Sequence, residues 1–128
     1  MFMKIFTSYY SRVNKLGCIP NTIYARVSNT EPDWFTMNHI DLSKYAPKWT
    51  LINKLRNGII SPTEFYEEYL KYLSTTFDRD IELYNIQQQV LSLGYQDICL
   101  LCWEAINKPC HRYVLAEWLD KDNCYGEI

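Results

Sequence analysis

A chain of 128 residues has the length of one ordinary domain, enough to bury a single substantial core. Its 13 basic and 15 acidic residues leave a net charge of −2, which argues against a nucleic-acid partner without excluding one. Five cysteines, an odd number scattered through a chain rich in apolar residues, read as reduced thiols rather than a disulfide framework.

The first seven residues are apolar but short, and Lys4 interrupts them, so they fit neither a signal peptide nor a spanning helix. A soluble, cytoplasmic protein with no membrane partner is expected. Residues 3–9 are β-rich and become polar at their end, predicting a first strand that delivers Thr7 and Ser8 to a loop. These two hydroxyls either contact a ligand or cap the helical turn expected over residues 10–16. Gly17 and Pro20 mark a turn, and residues 22–28 read as a second strand with Arg26 and Ser28 near its exit. Arg26 is either a solvated charge or an anion contact.

Residues 29–47 carry Pro32, Trp34, Phe35, Tyr45 and Pro47 without periodicity, predicting a loop over the strand ends. A short helix over 49–56 stops at Asn57-Gly58. Ser61-Pro62-Thr63-Glu64 combines a capping box with proline at the first helical position, so a helix runs from there to about Leu73. It is expected to bury Phe65, Tyr69, Leu70 and Leu73, and the spacing of Tyr66, Tyr69 and Tyr72 favours core packing over a ligand pocket. Asp78 or Asp80 caps the next helix, whose apolar positions Ile81, Tyr84, Val90, Leu91 and Leu93 lead to Gly94. The stretch 120–128 shows little pattern.

The most informative stretch is an apolar strand over 98–102, followed by Trp103, Glu104, a short loop and the sequence Pro109-Cys110-His111-Arg112, which opens an apolar-periodic helix. Proline at the first helical position would put Cys110, His111 and Arg112 in a turn whose free N–H groups attract anions and favour a thiolate. Val114, Leu115, Trp118 and Leu119 form the buried stripe, with His111 pointing inward below the strand end that carries Cys102. Cys99 and Cys102 have C-x-x-C spacing, but in a strand they point to opposite faces, so they are not read as a two-thiol site. Cys99 reads as a core residue. Cys102, Glu104, Cys110 and His111 match no known structural zinc spacing, and no metal is assigned to them.

The segment Leu100-Leu101-Cys102-Trp103-Glu104 with Cys110-His111-Arg112 resembles the hallmark of the domain-of-unknown-function family 488, a strand ending Leu-Leu-Cys-x-Glu followed by Cys-His-Arg. The resemblance extends to the polar end of the first strand and to the region of Arg26 and Ser28. It implies a fold and a site but no settled activity or cofactor.

Two early strands and a final helix–strand–helix order predict a small single α/β domain, residues 1–128, with a partly parallel sheet flanked by helices. Thr7, Ser8, Arg26, Cys102, Glu104, Cys110, His111 and Arg112 are expected to converge on one side of that sheet. The functional expectation is a small enzyme acting on a phosphate-bearing or nucleotide-like compound. Cys102 or Cys110 is the nucleophile, and His111 with Glu104 handles protons. Thr7, Ser8, Arg26, Ser28 and Arg112 bind the ligand. Non-catalytic binding of the same anion and a protein-interaction module are the alternatives. Oligomeric state is not legible.

Overall fold

The computed structural model describes residues 2–104 and 109–128. Five parallel strands form one sheet in the order β3-β2-β4-β1-β5: β1 (Ile5–Tyr9), β2 (Thr22–Arg26), β3 (His39–Asp41), β4 (Asp97–Cys102) and β5 (Cys124–Glu127). Five α-helices connect or flank them: α1 (Tyr10–Leu16), α2 (Trp49–Arg56), α3 (Pro62–Thr76), α4 (Arg79–Ser92) and α5 (His111–Asp120). No helix among the described residues is long and apolar enough to cross a membrane.

Strand alternation divides the core. Ile98, Leu100 and Cys102 of β4 point to the face covered by α3, α4 and α5, where they meet Tyr69, Leu73, Ile86, Val90, Leu115 and Leu119. Cys99 and Leu101 point to the other face, with Tyr10 and Val13 of α1, Tyr24 and Phe35. Continuous apolar sequence in β4 therefore reflects burial on both faces, as a central parallel strand requires.

Several local signals act as expected. Ser61 accepts from the Glu64 N–H at 3.1 Å while Glu64 accepts from the Ser61 N–H at 3.0 Å, completing the capping box of α3. Asp78, rather than Asp80, caps α4. Burial along the helices is narrower than their apolar residues suggest. On α3, Phe65, Tyr69 and Leu73 are buried but Leu70 is exposed; on α4, Ile86 and Val90 are buried but Ile81, Tyr84, Leu91 and Leu93 are exposed. Glu82 takes the place on α4 that an apolar pattern would miss, accepting from the Tyr45 hydroxyl at 2.8 Å beside Lys44 at 2.6 Å.

Two strands escape sequence patterning. β3 lies inside the stretch expected to be a loop, and its three residues are too few for an alternation to show. β5 lies in the terminal stretch and is anchored by side chains. Glu127 accepts from Thr7 Oγ1 at 2.6 Å and from Arg112 through Nε at 3.1 Å and Nη2 at 2.7 Å; Tyr113 Oη donates to it at 3.2 Å. Arg112 is completely buried, so this carboxylate is the counter-charge that makes its burial tolerable. Burial alone would raise the Glu127 pKa, but the bonds from Arg112 and Thr7 hold it below the usual carboxylate range.

Removing Glu127 leaves a buried guanidinium without its counter-charge. Glu127→Gln is expected to destabilise the fold by about 3 kcal/mol, and adding Arg112→Met should recover part of that loss. A carboxylate with a lowered folded pKa contributes stability above its unfolded value of about 4.3, and that contribution disappears as pH falls through the folded value. Urea unfolding of wild type and Glu127→Gln should accordingly differ most near neutral pH and converge in acid.

Candidate functional site

The carboxyl ends of β2 and β4 open onto a cavity of about 860 Å³, within the size range of small-molecule sites. Such strand ends are where ligands collect in open α/β sheets. Ser28 comes from the segment after β2, Trp103 and Glu104 follow β4, Cys110 and His111 start α5, and Phe65 comes from α3. The remaining wall is α2. This helix buries none of its residues, and its Trp49, Ile52, Leu55 and Arg56 line the cavity instead. Only Leu51 of this eight-residue amphipathic helix packs against the core, and the rest of its apolar side is explained if it faces a ligand space.

The reactive groups cluster where α5 begins. The structure starts α5 at His111, two residues later than the Pro109 start predicted from sequence, and Cys110 is its N-cap residue. The Cys110 N–H is taken by Tyr66 Oη of α3 at 3.3 Å, so it is not free for an anion. Tyr69 of α3 packs edge-on to His111 with ring centroids 5.5 Å apart. The α3 tyrosines thus support the cluster from behind.

His111 donates from Nε2 to the Val27 carbonyl at 2.5 Å, which leaves the lone pair on Nδ1. Cys102 Sγ lies beside the ring, 3.5 Å from Nε2 and 3.8 Å from Nδ1, and Cys110 Sγ lies 4.0 Å from Nδ1. All three side chains are buried. Burial by itself would push Cys110 up, but the hydrogen bond from Cys102 and the charge of His111 hold it well below an ordinary thiol. Cys102 moves the opposite way, raised well above the usual value by burial and by the proximity of Cys110. Burial would lower His111, and the Cys110 thiolate with the Val27 carbonyl reverses this and raises it. Glu104 is raised by partial burial and by Cys110.

Of the residues singled out by sequence, Ser28, Glu104, Cys110 and His111 line the cavity, and Cys102 sits directly behind His111. The others do not join them. Thr7 binds Glu127, and Ser8 Oγ donates to the Ile128 carbonyl at 3.3 Å; neither caps α1, whose N-cap Tyr9 makes no side-chain cap bond. Arg112 is turned towards the β5 edge of the sheet. Arg26 donates to the carbonyls of Ser28 and Asn29 and lies 3.9 Å from Asp41 on the β3 edge. The expected convergence on one side therefore fails for these residues. The reason is that both arginines are partly or wholly buried and each is drawn to the nearest acceptors, Arg112 through Nε and Nη2 to Glu127 and Arg26 to the Ser28 and Asn29 carbonyls.

Sequence reasoning passed over Trp49, Arg56, Phe65 and Trp103 as site residues. Trp103 is held by its indole N–H, which donates to Thr30 O at 2.9 Å and Thr30 Oγ1 at 3.1 Å, tying the end of β4 to the loop after β2. Arg56 lies 5.9 Å from the Trp49 ring and 3.9 Å from Glu104. The amphipathic pattern of α2 was the available signal, but only the packing shows that Trp49, Ile52 and Leu55 face a cavity while Leu51 meets the core.

A family model described as domain of unknown function DUF488 matches residues 31–119, a span from before β3 to the end of α5 that includes the whole cysteine–histidine cluster. No curated protein matches the chain, and no solved structure matches it.

The opposed environments of the cysteines predict their order of labelling. In metal-free folded protein near neutral pH, a small alkylating reagent should modify Cys110 before Cys102 and Cys99, because the Cys110 thiol is held well below its ordinary value while burial raises the other two. Mass mapping of time points checks this, and Cys99 labelling as fast as Cys110 would contradict the arrangement.

Proposed function

The chain belongs to the family described as domain of unknown function DUF488, and because that membership carries no activity we propose one from the geometry: a small enzyme acting on a nucleotide-like compound. The observation that carries this reading is a ligand-sized cavity lined by Cys110, His111 and Glu104, the groups best suited to chemistry, together with apolar and aromatic walls. Trp49, Trp103 and Phe65 suit a planar ring. Arg56, half exposed at the lining, takes the anion-contact role that sequence assigned to Arg112, since Arg112 is committed to Glu127.

Cys110 acts as nucleophile, its sulfur forming a bond to an electrophilic atom of the ligand as the bond to the leaving group breaks. Cys102 and His111 stabilise the attacking sulfur, and Glu104 supplies a proton to the leaving group. A second reading, binding without chemistry, draws on one specific observation: Cys110 is only 2% exposed.

A panel of nucleosides and nucleotides, tested by calorimetry against chelator-treated protein, separates these readings. Arg56→Ala is expected to weaken phosphate-bearing compounds by about 1.5 kcal/mol, roughly tenfold, and to leave nucleosides nearly unaffected. Cys110→Ser should retain binding and abolish turnover of the bound compound. Recovery of unaltered ligand from wild-type protein would favour the binding reading, and absence of binding by the whole panel would overturn both.

A further inference from the structure

We infer that Cys102 Sγ, Cys110 Sγ and His111 Nδ1 form a site for a soft divalent cation, Zn²⁺ by preference, whose remaining coordination position faces the cavity. The three donor atoms lie within 4.8 Å of one another. Around a tetrahedral zinc, with Zn–S near 2.3 Å and Zn–N near 2.0–2.1 Å, donors stand roughly 3.5–3.8 Å apart. The observed separations of 3.8 Å and 4.0 Å from Nδ1 to the two sulfurs are a few tenths of an ångström longer, and closing the set, all within 4.8 Å, around one ion takes a small rotation of the cysteine side chains.

A second observation is independent of donor spacing. The Nε2–H of His111 is bound to the Val27 carbonyl at 2.5 Å, which fixes the tautomer with its lone pair on Nδ1, the nitrogen next to Cys110 Sγ, while Cys102 Sγ sits beside the ring 3.5 Å from Nε2 and 3.8 Å from Nδ1. A histidine that ligates a metal through one nitrogen characteristically donates from the other to a carbonyl or carboxylate. The ring is also held by Tyr69, so the ligand is oriented before any metal arrives. Two thiolates and an imidazole make a donor set that selects zinc over the hard cations calcium and magnesium.

Three protein ligands leave a fourth position, and Cys110 and His111 both line the cavity while Cys102 lies behind them. Water or an anionic group of a bound compound would occupy that position, the pattern of an open zinc site rather than a closed structural one. The spacing that hides this site in sequence is explained by its construction. Two adjacent ligands come from the start of α5 and the third from the end of β4, so the site belongs to a strand–helix junction and not to a knuckle.

This inference goes beyond the proposed thiol chemistry and does not rest on it. With zinc bound, the sulfur lone pairs are committed to the metal, and nucleophilic attack by Cys110 is confined to metal-free protein.

The test uses the full reduced chain, stripped with a chelator and titrated with Zn²⁺ or Co²⁺ alone. One equivalent of Co²⁺ should bind with a thiolate-to-cobalt charge-transfer band, and Zn²⁺ should displace it. One equivalent of Zn²⁺ should also protect Cys110 from alkylation while leaving the exposed Cys18 reactive. Cys102→Ser and His111→Gln should each weaken zinc by more than about tenfold. Because Cys102 is fully buried and its variant is at risk of misfolding, the protection assay on wild-type protein stands by itself. No charge-transfer band, or protection confined to Cys18 and Cys124, overturns the site. Zinc binding by a protein that takes no nucleotide would retain this inference and reject the proposed substrate, whereas nucleotide binding without zinc would do the reverse.

Discussion

A guanidinium removed entirely from water must have its counter-charge within reach, and in this protein that requirement joins the two ends of the fold. Arg112 in the first turn of α5 is matched by Glu127 on β5, and Glu127 in turn holds Thr7 on β1. The edge strand β5 has only four residues and an irregular register against β1, so its ladder alone would be a weak attachment. The ion pair adds a directed one. It also fixes the start of α5, and thereby the positions of Cys110 and His111 immediately before Arg112.

From that anchor the site follows by adjacency. Because Arg112 faces the β5 edge, the neighbouring His111 is turned towards β4 and the exit of β2, where it meets Cys102 Sγ and the Val27 carbonyl. The same buried environment that raises Cys102 leaves Cys110 stabilised by its neighbours. Burial raises both thiols, and the hydrogen bond from Cys102 with the charge of His111 sets Cys110 apart from its chemically identical neighbour. One becomes a donor or ligand behind the imidazole, and the other lines the cavity.

The cavity itself is a consequence of how the long connection between β3 and β4 is folded. Helices α3 and α4 cover the sheet and use their apolar faces in the core, whereas α2 sends only Leu51 against it. It stands away with its indole, leucine and isoleucine side chains directed into the space beyond the strand ends. A helix of this kind depends on its connections to α3 and, in the functional reading, on what the cavity contains. Polar groups along the wall at Ser28 and Thr30 are already satisfied internally, since Ser28 Oγ donates to the Thr30 carbonyl at 2.5 Å. Ligand contacts are left chiefly to the aromatic rings, Arg56 and the reactive cluster.

The amino-acid sequence determined those features that depend on neighbours in the chain. The α/β class, the capping box at Ser61, the central strand ending at Cys102, and the entry of Cys110 and His111 into a helix beside that strand are set by local pattern and short connections. The opposite facing of Cys99 and Cys102 likewise follows from strand geometry alone. Tertiary structure decided whatever depends on partners remote in sequence. Arg112 looked available because its counter-charge, Glu127, lies in a stretch without pattern; the cavity beside α2 left no trace in its sequence because periodicity records amphipathicity and not what faces it. The tautomer of His111, set by the Val27 carbonyl, was decided in the same way. Periodicity is a property of one segment, whereas charge pairing, cavity formation and donor geometry arise only when segments distant in the chain pack together.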